Sequence, residues 1–268
     1  MAIDAFALNK ATTALENPSD YEHVARIQTV KGTAVTCGRS NFYPALSLQP
    51  CQPSDQGYLV RISDGKVWRV IGADFDGDSV LHTLEGEAPP APGDDVICLI
   101  DRSRRHFLSR AHSAAVLVSG LAFRHWGGSL TTSCNLSAFG VRLDVSGGSR
   151  RDHEVEELLA YANRLIADDG QITSYFISAK EAALVPQFLR SNALQRDFET
   201  IGSLARVVRL TSHGHTIEEQ YDLGTHVRRL AEIGRLEPLS RTNKPSWENK
   251  GHDHFRLRFC PADPWQDD

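Results

Sequence analysis

The chain has 268 residues, 41% of them hydrophobic, and a formal net charge of −5. That length supports one large or two small domains, and the acidic balance argues against broad nucleic-acid coating, since phosphate neutralisation supplies most of such affinity. Five scattered cysteines (Cys37, Cys51, Cys98, Cys134 and Cys260) show no Cys-x-x-Cys spacing, which excludes a disulfide-stapled secreted scaffold and a cysteine-rich structural zinc site.

Residues 1–20 are polar and irregular, and the expectation is a flexible arm. The start, Met1-Ala-Ile-Asp-Ala-Phe, lacks the basic and apolar stretches of a secretion signal. No apolar run is long enough to span a bilayer. The expectation is a cytoplasmic protein with no membrane partner.

Residues 24–101 read as short β-rich runs broken by turn residues. Tyr58-Leu-Val-Arg-Ile-Ser, the turn Asp64-Gly65, Lys66-Val-Trp-Arg-Val-Ile and Asp95-Val-Ile-Cys-Leu-Ile alternate as antiparallel strands do. Glu87-Ala-Pro-Pro-Ala-Pro-Gly93 reads as a loop, because consecutive prolines do not sit inside a sheet. A small β-barrel domain is expected over 21–101.

After Asp101 the period changes. Phe107, Leu108, Ala111, Ala115, Val118 and Leu121 fall at helical spacing, which predicts a helix over 104–124. A second helix is expected over 152–168, with acidic residues at its start and a stop at Asp168-Asp-Gly170. Strands fit 171–177, 204–211, 232–240 and 253–259. A short helix running from Ala179 towards Arg190 has to kink or end early at Pro186. The fold class is α+β, with a second domain over 102–262.

Two segments carry the candidate chemistry: Arg110-Ala-His112-Ser-Ala-Ala-Val116, and Asp222-Leu-Gly-Thr225-His226. Residues four apart on a helix share a face, so a His-x-x-x-His pair grips one ion. The segments resemble the paired zinc motifs of alanyl-tRNA editing proteins of the AlaX type and of the matching domain of alanyl-tRNA synthetase. Those families have His-x-x-x-His in the first segment and Cys-x-x-x-His in the second. Val116 stands at the second His and Asp222 at the Cys. The resemblance is collinear over roughly residues 24–260. It takes in Asn41-Phe-Tyr-Pro44, Gln52-Pro-Ser-Asp55-Gln-Gly57, Asp101-Arg-Ser-Arg-Arg105, Ala179-Lys-Glu181, Lys250-Gly251 and Arg256-Leu-Arg258-Phe. Where the family has Gly-Gly-Gly-Gln, this chain has Gln49-Pro50-Cys51-Gln52, and the bulk and fixed φ added there change the pocket's shape.

The resemblance implies an editing-like second domain, of the kind also present as the second additional domain of threonyl-tRNA synthetase. It also implies aminoacyl-tRNA as substrate. His112, Asp222 and His226 are the candidate catalytic residues, and two imidazoles with one carboxylate are a sufficient zinc set. Three states stay open from the sequence: zinc retained, zinc lost with a histidine acting as general base, or a dead site. No nucleotide cofactor is expected. Gln52, Cys51 and Thr225 are candidates for contacting the aminoacyl group, and Cys51 is also a candidate acyl acceptor. Arg105, Arg110, Arg228 and Lys250 are candidates for the tRNA phosphates. The degraded motifs favour transfer of the amino acid to a small-molecule nitrogen nucleophile, as in some natural-product pathways. Hydrolytic editing of mischarged tRNA is the alternative, and a non-catalytic tRNA-binding module is a third reading.

Overall fold

The computed structural model describes residues 4–46, 52–86, 88–137, 140–147, 151–188, 190, 202–239 and 254–262. Six strands between residues 22 and 100 close on themselves. They are β1 (Glu22–Lys31), β2 (Ala34–Cys37), β3 (Gly57–Arg61), β4 (Val67–Phe75), β5 (Val80–Leu84) and β6 (Asp95–Ile100). The order is β1-β2-β5-β4-β3-β6, and β6 pairs back to β1. Inward positions such as Leu59, Val70, Val80, Val96 and Cys98 are buried, and the residues between them face outward. The expected barrel is present, and closure leaves it no free strand edge. Gly57 permits β3 to lie against β6, since a Cβ there would stand 2.0 Å from the Leu99 carbonyl oxygen.

The N-terminal segment corrects the expectation of a flexible arm. α1 (Ala5–Ala11) is a helix capped by Asp4, whose carboxylate accepts from Phe6 N. Ala5, Leu8, Ala14 and Leu15 are buried with Tyr43, Val207 and Leu223. Polar composition hid an apolar face of small residues.

Asp101 caps α2 (Arg102–His125) by accepting from Arg104 N at 2.9 Å. α2 packs on α3 (Asp152–Ala167) and on strands of two sheets. One sheet has the order β11-β10-β9, and the other β12-β13-β8-β7. Their strands are β7 (Thr131–Ser137), β8 (Gly140–Ser146), β9 (Gln171–Ser178), β10 (Leu204–Ser212), β11 (His215–Tyr221), β12 (Leu236–Pro238) and β13 (His254–Pro261). Alanine, serine and glycine on α2 let these neighbours approach closely. At Gly120 a Cβ would lie 1.9 Å from Glu218 Oε2.

Several boundaries move. The strand expected over 232–240 is a 3₁₀ turn, Leu230–Ile233, followed by only three residues of β12. β7, β8 and β11 were not anticipated. The helix begun at Ala179 is α4 (Ala179–Ala183), ending before Pro186. At the end of α3 the left-handed residue is Asp169, φ 47°, rather than Gly170. Gly170 answers a different constraint: a Cβ there would lie 1.6 Å from Thr211 O. Among the described residues no helix is long and apolar enough to cross a membrane.

Candidate active site

Arg105, Ser109, His112, Ser113 and Val116 recur at three- and four-residue steps and so lie along one side of α2. The turn after β11, residues 222–226, closes over this side. Its shape depends on Gly224, because a Cβ there would stand 1.7 Å from the His112 ring. Arg206, on β10, braces the turn from behind, donating to Asp222 O and Gly224 O at 3.0 Å each and to Leu15 O at 3.2 Å. Burial pulls its guanidinium below the usual value, against the opposing pull of Asp222.

The three candidate ligands meet. His112 Nε2 lies 3.1 Å from Asp222 Oδ2, and His226 Nε2 lies 3.0 Å from Asp222 Oδ1. The ring centroids are 4.8 Å apart, and all three side chains are at least 95% buried.

The neighbours decide which ring nitrogens carry hydrogen. Gln52 Oε1 accepts from Thr225 N at 3.1 Å, while Gln52 Nε2 donates to Thr225 Oγ1 at 2.9 Å. This pair of bonds fixes the amide's orientation, so its oxygen faces His112 Nδ1 at 2.7 Å and Nδ1 must be the donor. Ser113 places its one hydroxyl proton on Ser109 O at 2.8 Å and accepts from Val227 N. Its oxygen therefore accepts from His226 Nδ1 at 3.2 Å. Ser109 completes the shell through Thr225 Oγ1 at 2.8 Å.

With both Nδ1 atoms protonated, a neutral ring turns a bare Nε2 lone pair toward the Asp222 carboxylate. Burial pulls the His226 imidazole down to about 4, against the attraction of Asp222, so it is neutral near pH 7. Burial raises the Asp222 carboxyl, but the charge and hydrogen bonds of His112 and His226 in their protonated form outweigh it and hold it well below the usual range. Three acceptors aimed at one another repel unless a cation lies among them. One ligand atom from each of the three residues lies within 4.8 Å of the others, and a tetrahedral ion with bonds of about 2.0–2.1 Å would draw such atoms to about 3.3 Å apart. The donor set fits zinc, and both histidines have the outer-shell acceptor that orients such ligands.

The other predicted residues divide. Gln52 and Thr225 are buried in this shell. Arg105 is not available to tRNA, which corrects the expectation. It is fully buried and ion-paired with Asp55, and it also donates to Pro18 O at 2.9 Å and Asn41 O at 2.7 Å. Arg110 likewise turns inward, onto Ile233 O at 3.0 Å and Ala262 O. Arg228 is exposed, bonds Asn17 Oδ1 at 2.9 Å, and lines a groove of about 590 Å³ that also touches His226, Arg206 and Arg229. Cys51 and Lys250 lie outside the described residues. Sequence reasoning missed Arg206, Ser109 and Ser113. An arginine inside the apolar run Leu204-Ala-Arg-Val-Val was the available signal for the first.

The chain is 30% identical over 233 residues to the alanyl-tRNA editing protein AlaX-M of Methanosarcina barkeri, covering 85% of this chain and 89% of that protein. The chain belongs to the AlaX family. It is 26% identical over 238 residues to AlaX-M of Saccharolobus solfataricus, covering 89% and 93%. It is also 26% identical over 231 residues to the alanine–tRNA ligase of Methanothermobacter thermautotrophicus, covering 85% of this chain and 24% of the ligase. No family model matches the chain. The two departures from the AlaX zinc pattern, Val116 and Asp222, line one small cavity together with His112.

Proposed function

We propose that the protein discharges mischarged tRNA by hydrolysing the ester between amino acid and terminal ribose. The observation that carries this reading is the buried trio of two Nδ1-protonated imidazoles and one carboxylate, whose ligand atoms lie within 4.8 Å of one another. Kinship with alanyl-tRNA editing proteins supplies the substrate class. In this reading the domains divide at about residue 101, a barrel domain over 21–101 and an editing-like domain over 102–262.

His112 Nε2, His226 Nε2 and an Asp222 oxygen would hold zinc. When bound, zinc supplies Lewis-acid polarisation of the ester. Gln52 and Ser113 keep both rings in the tautomer that leaves Nε2 bare. Without the ion, His226 is the available proton acceptor, but at a pKa of about 4 it is a weak base. The ion-holding role is therefore the stronger of the two. The groove beside His226, with Arg228 and Arg229 on its wall, suits the phosphates of the acceptor end.

A second reading, transfer to a small nitrogen nucleophile, uses the same ester and draws on the two departures at Val116 and Asp222. One assay separates them. Defined tRNAs charged with labelled amino acid are incubated with the protein, with and without a metabolite extract. Free labelled amino acid in both reactions establishes hydrolysis. Label entering a new small molecule only with extract establishes transfer and overturns hydrolysis. Intact ester in both, with tRNA still bound, leaves a binding module.

A further inference from the structure

The C-terminal end of α2 and one side of α3 enclose a groove of about 540 Å³. That size falls within the range of about 300–1,000 Å³ usual for small-molecule sites. The groove is remote from the trio, since His125, which lines it, lies about 20 Å along α2 from His112. Glu154, Glu157, Leu158, Tyr161 and Arg164 recur at three- and four-residue steps and form one stripe of α3 along its wall. Trp126 lines it from the end of α2.

The stripe presents three kinds of group in order. Glu157 and Arg164 are both exposed, and neither has an ion-pair partner among the described residues. They stand two turns apart, about 10.5 Å. Tyr161 lies between them. It is half-buried and packs on the core, with the His125 ring edge-on at 5.4 Å and Arg164 Cζ 5.2 Å from its centroid. Trp126 is also half-buried, and it is held edge-on against Phe255 at 6.0 Å. Two anchored aromatic rings thus border a groove with a carboxylate at one end and a guanidinium at the other. Glu154 is set apart, because it already accepts from Arg151 N at 2.8 Å as part of the helix cap.

We propose that this groove binds a guanine nucleotide, with the base against Trp126 and Tyr161, its pairing edge on Glu157 and its phosphate on Arg164. The inference does not depend on the chemistry at the trio. Bases stack on anchored aromatic rings, and a guanidinium suits phosphate. The carboxylate selects the base. An ionised carboxylate only accepts, and guanine alone offers two adjacent donors, N1–H and the N2 amino group, to its two oxygens. Adenine and cytosine place a bare ring nitrogen beside their amino group, and uracil flanks its one N–H with two carbonyls. Each sets an acceptor against the carboxylate, and such mismatches discriminate strongly. A simple cationic amine fits less well, because Arg164 and His125 share the wall.

The test is calorimetry on the full chain with GMP, AMP, CMP, UMP and guanosine, and with single-stranded RNA pentamers carrying one central guanosine or adenosine among uridines. GMP should bind at least about tenfold tighter than the other three mononucleotides. Glu157→Gln should remove that preference, and Arg164→Gln should bring GMP down to the level of guanosine. Both side chains are exposed, so melting curves should stay unchanged, and either variant alone keeps the test valid. Tighter binding of the guanosine pentamer than of GMP would identify unpaired RNA as the source of the base. GMP binding as tightly or better would identify the free nucleotide, and both results support the site. No binding of any ligand at millimolar concentration, equal affinity for the four mononucleotides, or binding lost on chelator treatment, which would move it to the trio, overturns the proposal.

Discussion

Two buried carboxylates face α2 a few turns apart, and they are treated in opposite ways. Asp55 meets Arg105, and both of its carboxylate oxygens are matched by the protein. The guanidinium reaches both carboxylate oxygens and two backbone carbonyls, and Tyr43 N donates to Asp55 at 2.6 Å. Asp222 accepts from Gly224 N at 2.6 Å and otherwise meets two imidazoles whose other nitrogens are already committed as donors, so with neutral rings the Nε2 atoms facing it are acceptors like itself. The first cluster is satisfied by the protein alone and clamps the barrel to the helix. With neutral rings, the second is completed only by a cation, whether a proton on Nε2 or a metal ion. A buried polar group whose partners are complete points to structure, and one whose partners are incomplete points to a ligand.

The contrast can be broken most directly at Asp222. Asp222→Asn should lower tRNA discharge by roughly 10²–10⁴-fold with little loss of thermal stability. Near-normal discharge in that variant would remove the carboxylate from the chemistry. Arg105→Met makes the opposite prediction. It strands Asp55 as a buried unpaired charge and should cost about 3–5 kcal/mol, read as a drop in Tm of roughly 10 °C. An unchanged melting curve would show that the clamp contributes nothing.

The histidine side of the comparison is sharpened by pH in chelator-treated protein. Unfolded chain protonates His226 below about pH 6.5, whereas the native ring does so only near 4. Between those values the unfolded state holds the extra proton. Stability should therefore be full above about 6.5 and decline as pH falls toward 4, by up to about 1.4 kcal/mol per pH unit. Denaturant titrations across that range check this, and His226→Asn should flatten the slope. The smallest effect is expected at Ser113→Ala, which removes the acceptor from His226 Nδ1. Zinc affinity in a competition titration should fall about 10–100-fold.

Much of the fold and the centre of the site is legible in the sequence. Helical spacing gives α2 and α3 to within about two residues, and His112, Gln52, Asp222, Thr225 and His226 do converge. What fails is instructive. Arg105 and Arg110 look like surface cations because nothing local announces that Asp55 lies fifty residues back or that the Ile233 carbonyl lies over a hundred ahead. β7 reads Thr-Thr-Ser-Cys-Asn-Leu-Ser, too polar to show as a strand until β8 pairs alongside it. The N-terminal helix is seven residues long, below what propensity alone sustains, and it persists through packing on β10.

α2 carries the clamp at Arg105, the ligand at His112, the cavity wall at Val116 and the close contact at Gly120 on one continuous run of backbone. Each residue inserted or deleted within that run would turn everything beyond it by about 100°. A substitution at one station leaves the spacing of the others intact, but the distance between stations cannot change without uncoupling all of them. Divergence at this site is thus confined to substitution, and a homologue with a length change between 105 and 120 should have lost the arrangement altogether.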